Sequence, residues 1–295
     1  FYEEVIAKIA AKEGVSKDHI LMTSGSTEGL KVAGLTYGAG NGEILTADPT
    51  FQSLMSYAQQ FGAYINRVPL DADMMYDLDE MARRVNNNTR LVFLCNPNNP
   101  TGTLLPADQL RAFISEVSDR AVIFADEAYC DYIEEPDYPS MVEFVKEGAN
   151  VIVSRTFSKV YGLAGIRIGY LIARPDIIRR LSANLVSYIN TAALAAANEA
   201  LDERDFYLFS LERNKICKQM IYDNLENLGL KYTKSHGNFV FFETGKPIDA
   251  FSKAMAIEGV DVGRPFPPYT KWCRISTGLE SEVEAFNAAL RKVMG

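Results

Sequence analysis

Ser154-Arg155-Thr156-Phe157-Ser158-Lys159-Val160-Tyr161-Gly162-Leu163-Ala164-Gly165-Ile166-Arg167-Ile168-Gly169-Tyr170 is the stretch that decides how this chain reads. A strand-like apolar run, Val151-Ile152-Val153, leads into it. Lys159 therefore stands in a tight turn at the end of a buried strand. The hydroxyls of Thr156 and Ser158 flank it and Arg167 follows. That setting suits an amine held close to an anion and able to attack an aldehyde carbon. An exposed lysine after a strand is the plainer alternative, so the other groups of such a site must be sought along the chain.

They occur in a consistent order. Ala121-Val122-Ile123-Phe124-Ala125 is a buried strand that delivers Asp126 at its carboxyl end, where open α/β sheets bind ligands. An aspartate there can hold a proton on a heteroaromatic nitrogen or cap the next helix, and the segment alone leaves both open. Tyr129 follows within reach. Leu91-Val92-Phe93-Leu94-Cys95 runs into Asn96-Pro97-Asn98-Asn99-Pro100-Thr101-Gly102, a rigid turn suited to a fixed donor, for which Asn99 is the candidate. Leu21 to Leu30 reads as a strand end, a Gly-Ser-Thr turn containing Ser26 and Thr27, and a helix start, which offers amide donors to a phosphate or is an ordinary cap. Phe51, after the strand candidate Ile44 to Ala47, can stack on a flat ring or belong to the core.

With those segments in place, the chain resembles the class I and II pyridoxal phosphate-dependent aminotransferases, and within them the histidinol-phosphate aminotransferase branch, from about residue 2 to the C-terminus. The resemblance implies a fold type I α/β architecture, with a mostly parallel seven-stranded sheet between helices and a smaller α+β C-terminal domain. It implies pyridoxal 5′-phosphate as cofactor, with Lys159 as the Schiff-base lysine and proton shuttle. Asp126 would face the pyridinium nitrogen, and Asn99 and Tyr129 the phenolic oxygen. Ser26, Thr27, Thr156, Ser158 and Arg167 would form the phosphate cradle, and Phe51 would stack on the ring. Arg274 would clamp the substrate carboxylate, since a guanidinium makes two parallel hydrogen bonds to it. Arg264 would bind a substrate phosphate. The substrates implied are an amino donor and a 2-oxo acid such as 2-oxoglutarate, in a homodimer. Relatives begin with an arm carrying an Asn-Glu-Asn-Pro-like motif and a tyrosine that crosses to the partner. This sequence opens at Phe1, inside the helix before the first strand, and is expected to be a fragment, a processed chain or one represented in part. Other readings on the same scaffold are a decarboxylase, a β-lyase, or a non-catalytic truncated cofactor-binding protein.

Composition agrees with an ordinary enzyme. The 295 residues are 47% hydrophobic and carry a net charge of −8, which argues against nucleic acid and anionic membranes as partners. No apolar run approaches the roughly 18 residues of a membrane span. The cysteines at 95, 130, 217 and 273 are scattered without metal spacing and read as reduced thiols of a cytoplasmic protein. His19 and His236, both in polar surroundings, make a histidine-based metal centre or triad unexpected. Short strands alternate with helical stretches up to residue 173, predicting a large domain over 1–173. Arg174-Pro175 ends it. A helical stretch over 176–229 follows, then a strand over 238–243, a helix over 248–258, a Pro-rich turn over 265–268, a strand at Arg274 and an amphipathic helix over 281–293, predicting a small domain over 174–295.

Overall fold

Apolar runs too short for helices and buried on both faces make the centre of the molecule. A computed structural model describes residues 1–185 and 188–295. Seven strands form the main sheet: β1 (Ile20–Thr23), β2 (Glu43–Asp48), β3 (Tyr64–Pro69), β4 (Thr89–Cys95), β5 (Val122–Asp126), β6 (Val151–Thr156) and β7 (Gly169–Ala173). Their order is β1-β7-β6-β5-β4-β2-β3, and β7 alone runs against its neighbours. The central pairs β2–β4, β4–β5 and β5–β6 are parallel, so their carboxyl ends emerge on one edge. Helix α1 (Tyr2–Glu13) precedes β1. Parallel strands need crossovers, and helices supply them: α2 (Ser26–Gly38), α3 (Ser53–Gln59), α4 (Leu78–Arg84), α5 (Ala107–Val117) and α6 (Val142–Lys146).

Alternation along each strand divides the core in two. From β4, Val92 and Leu94 face one side with Ile9 of α1 and Phe113 and Ile114 of α5. Leu91 and Phe93 face the other with Leu30 of α2 and Leu54 of α3. Phe93 and Phe124 are fully buried. Burying a side chain of that size stabilises the fold by about 2–3 kcal/mol.

The stretch after the sheet differs from the sequence expectation. In place of one helical run there are three helices, α7 (Pro175–Ser182), α8 (Thr191–Asp202) and α9 (Arg204–Asn227), and residues 186 and 187 of the expected run lie outside the described residues. Asn190 starts α8, its side chain accepting from the Ala192 amide at 2.8 Å. Pro175 takes the first position of α7, where a missing N–H costs nothing, so it opens a helix and does not close a domain. Ile177, Ile178 and Leu181 of α7 then pack with α2 and α3, and Ala193, Leu194 and Ala197 of α8 pack with α1. Both helices thus share the core of the main sheet. A separate core begins at Cys217 of α9. It is completed by the antiparallel pair β8 (Phe239–Glu243) and β9 (Trp272–Ser276), with α10 (Ile248–Ile257) and α11 (Glu280–Met294). Among the described residues no helix is long and apolar enough to cross a membrane.

Candidate active site

The parallel strand ends converge on a cavity of about 280 Å³. β5 ends with Asp126, 3% exposed, on the cavity wall. Its Oδ1 is buried and has no hydrogen-bond partner. Burial pushes the carboxyl up to about 7, with Ser154 and the Lys159 charge pulling it back. The next residue, Glu127, points the other way. It meets Arg155 at 2.7 Å and accepts from the Met141 amide, so its charge is used structurally.

β6 carries the chain to Lys159. Thr156 lies behind the cavity wall, its hydroxyl accepting from the Ser158 amide at 3.1 Å and so fixing the turn. Ser158 and Lys159 lie on the wall. The Lys159 ammonium stands 5.1 Å from the centre of the Tyr129 ring. Burial, then the Arg274 charge, lowers its pKa below that of an ordinary lysine. Arg167 also reaches the wall, donating to the Ala164 carbonyl at 2.6 Å and to Ser158 Oγ at 3.5 Å.

The turn after β4 is fixed by Asn98. Its Oδ1 accepts from Thr50 at 2.8 Å and from the Tyr76 hydroxyl at 3.0 Å, and its amide donates to the Pro49 carbonyl and to Thr101. These bonds tie the loop bearing Phe51 to the loop bearing Asn99, and both of those side chains line the cavity. Asn99 donates to the Tyr129 hydroxyl at 3.4 Å and accepts from Arg274 Nη1 at 2.6 Å. Tyr129 is 5% exposed, and burial raises its pKa.

Opposite the turn of β6, helix α2 points its N-terminus inward. Ser26 and Thr27 occupy its first turn, and no side chain caps it. Gly25 has a φ of 81°, and a Cβ there would stand 2.4 Å from Arg167 Nη2. Gly169 brings the strand and helix backbones together, since a Cβ there would lie 2.8 Å from the Ser26 nitrogen. An uncapped helix N-terminus, two hydroxyls and Arg167 make an anion cradle.

β8 and β9 supply the remaining wall: Asn238, Phe239, Arg274 and Ser276. Phe239 meets Tyr129 edge to face at 5.1 Å and Arg274 at 5.2 Å. Arg264 does not line the cavity. It is exposed, donates to the Pro265 carbonyl at 3.1 Å and stands 4.3 Å from the centre of the Phe266 ring. Ten of the twelve residues expected from the sequence thus share one wall, with Thr156 behind it and Arg264 beside it. Asn238, Phe239 and Ser276 are additions. Only their position at the ends of the strands over 238–243 and around Arg274 could have flagged them. Lys159, Arg167 and Arg274 share the wall with a single carboxylate, Asp126, so the cavity carries an excess of positive charge and presents one amine of lowered basicity.

Comparison with known proteins agrees with this chemistry. The family model described as aminotransferase class I and II matches residues 1–290. A histidinol-phosphate aminotransferase of Moorella thermoacetica is 38% identical over 97% of this chain and 75% of its own length. The structure of a candidate histidinol-phosphate aminotransferase from Erwinia carotovora atroseptica superimposes with a TM-score of 0.94 at 31% identity, over 99% of this chain and 86% of its own. That of the Sinorhizobium meliloti histidinol-phosphate aminotransferase, in complex with pyridoxal-5′-phosphate, gives 0.90 at 26% identity, over 99% and 81%. The chain belongs to the class I and II aminotransferases and is a pyridoxal phosphate-dependent enzyme similar to histidinol-phosphate aminotransferases.

Proposed function

We propose that this aminotransferase holds pyridoxal phosphate on Lys159 and moves an amino group between a donor bearing an anionic group, such as the phosphate of histidinol phosphate, and 2-oxoglutarate. The observation that carries the reading is Asp126: a buried carboxylate oxygen with no partner, on the wall of a cavity whose other charged lining residues, Lys159, Arg167 and Arg274, are all cations. Such an atom needs a proton-bearing partner, and the ring nitrogen of the cofactor is one. The rest of the donor set fits the same group. The α2 N-terminus, Ser26, Thr27, Ser158 and Arg167 suit a phosphate, and the closeness allowed by Gly25 and Gly169 leaves their approach unobstructed. Thr156 acts at one remove, through the Ser158 amide. Phe51 offers a flat face, and Asn99 and Tyr129 offer donors for a phenolic oxygen.

When bound, the cofactor supplies an aldehyde carbon and an electron sink. The protein does the rest. Asp126 holds a proton on the ring nitrogen. Lys159, whose amine is less basic than usual, would hold the cofactor and, as the free base, would take the substrate α-proton on Nζ. Arg274 binds the substrate carboxylate. Its bond to Asn99 ties the carboxylate site to the donor for the phenolic oxygen, so the two are held in one register. Arg264, which has no ion pair among the described residues, assists Arg274 with the anionic group of the donor; of the local acids it could pair with instead, Glu258 pairs with Lys292 at 2.7 Å and Asp261 makes no ion pair among the described residues. The same reading takes the enzyme to be a cytoplasmic homodimer. The exposed apolar side chains Phe206, Leu208 and Phe209 of α9 support an assembly.

The test is a substrate contrast. With 2-oxoglutarate as acceptor, Arg264→Ala should raise the KM for histidinol phosphate about tenfold or more, the weight of one charged hydrogen-bonding group, and leave that for phenylalanine nearly unchanged. An equal rise for both would make Arg264 structural and remove the phosphorylated donor from the reading.

A further inference from the structure

Two guanidinium groups share one phenyl ring at the rim of the active site. The Phe266 ring centre lies 4.3 Å from Arg264 Cζ and 5.2 Å from Arg274 Cζ. Neither arginine meets a carboxylate among the described residues. Burial, and the Arg264 charge beside it, hold the Arg274 guanidinium below its ordinary pKa. Two unpaired like charges so placed repel and would splay. The negative face of an aromatic ring attracts each of them and offsets that repulsion.

The ring is itself fixed. Phe266 is 4% exposed and stands edge-on to Phe241, with ring centres 6.0 Å apart at 88°. Its turn is closed by the Tyr269 amide donating to the Phe266 carbonyl at 2.9 Å. Met74 packs against the same cluster. Arg274 is held on its other side by Asn99, and Arg264 bonds only the neighbouring Pro265 carbonyl, so a rigid ring touching both guanidiniums fixes the distance of Arg264 from Arg274.

We propose that Phe266 is a positioning residue that sets the separation of Arg264 and Arg274, and so makes the enzyme prefer dianions, whether one phosphate or two carboxylates, over a single carboxylate. The inference rests on the functional reading above for the roles of the two arginines, but its test reads binding alone. Holoenzyme is titrated calorimetrically with maleate, an unreactive dianion, and with propionate, an unreactive monoanion. Phe266→Leu keeps the bulk and loses the ring. It should weaken maleate about 3- to 10-fold, the range of one partly desolvated cation–π contact, and propionate less than about 2-fold. Phe266→Tyr keeps the face and should behave as wild type. In an Arg264→Ala background the Leu change should add nothing, because the pair it spaces is gone. Phe266→Met, which fills the site flexibly, should repeat the loss and serves if the Leu variant does not fold. Equal weakening of both anions, a Tyr variant as impaired as Leu, or a Met variant with wild-type selectivity would overturn the proposal. Absence of amino transfer by the wild type would defeat the functional reading and leave this comparison standing.

Discussion

Asp126 shows how one side chain carries both a cost and a function. Its pKa is pushed up to about 7 by burial. In the unfolded chain it titrates near 3.9. A folded-state pKa above the unfolded value means the folded protein binds the extra proton between those values. Stability is therefore lost as pH rises from about 4 to 7, and the cost is fully present above 7. Asp126→Asn removes it. The cofactor-free Asn variant should melt above the wild type at pH 8, with the gap closing as the pH falls toward 4, and should lose nearly all amino transfer. A scanning-calorimetry series across pH checks this, and a variant that melts below the wild type at pH 8 would contradict it. The residue was legible as a candidate because it is the first acid after an apolar strand, though the sequence alone left a helix cap equally open. The three asparagines after β4 were legible only as a group. The fold divides them: Asn96 binds the Tyr138 hydroxyl and the Leu105 amide, Asn98 ties two loops, and Asn99 meets Arg274. No spacing in the sequence separates those fates, because each depends on a partner far along the chain. Phe239 escaped notice for a similar reason. In the run Phe239-Val240-Phe241-Phe242 it reads as core, and only its register beside Tyr129 puts it on the cavity wall.

On the proposed reading, helix α2 is the element on which cofactor affinity depends. Its N-terminus can approach the β6–β7 pair because Gly169 has no side chain. A Cβ there would stand 2.7 Å from the Arg155 carbonyl oxygen and 2.8 Å from the Ser26 nitrogen, and neither backbone atom can swing away. Gly169→Ala should push the helix start outward. We expect a stability loss of about 1–3 kcal/mol from overpacking and a loss of at least about tenfold in pyridoxal phosphate affinity from the displaced cradle. Thermal melting and a cofactor titration measure the two together, and wild-type affinity in a destabilised variant would uncouple the helix from the cradle. The strand–turn–helix pattern before α2 was plain in the sequence, since apolar runs give way to Gly, Ser and Thr there. The helices after β7 were not. Alternating apolar residues over 176–229 keep a helical period across the breaks, and the Asn190 cap is a local signal that periodicity outweighs. The edge strand β3 was faint as well. It is polar at Asn66 and Arg67, and Tyr64 is 63% exposed, so its apolar alternation is weak.

The whole molecule brings together a site that no single segment contains. The main sheet supplies Asp126, Asn99, Tyr129 and Lys159, and the C-terminal core supplies Arg274 and Phe239. Two described hydrogen bonds besides Arg274–Asn99 join the two along the Asn99 loop: Thr233 donates to the Thr101 carbonyl and the His236 amide donates to the Gly102 carbonyl at 2.8 Å. Within the C-terminal part, Lys218 donates to the Ser235 carbonyl at 3.0 Å and holds the adjoining turn. The fold class and the order of the site segments could be read in advance because each is local: a strand, a turn and one reactive side chain. The division of helices between the two cores could not, since it depends on which apolar face meets which sheet.

Folding is also what distinguishes Lys159 from every other lysine of the chain. Among the described residues, only there does a lowered lysine pKa coincide with a cavity that also holds a helix N-terminus and an unpartnered carboxylate. Holoenzyme formed with one equivalent of pyridoxal phosphate, reduced with borohydride, digested and mapped by mass spectrometry, should carry the pyridoxyl group on Lys159 in nearly stoichiometric yield. After denaturation before reduction the label should scatter or vanish. A label concentrated on any other lysine of the native protein would contradict the assignment of the site.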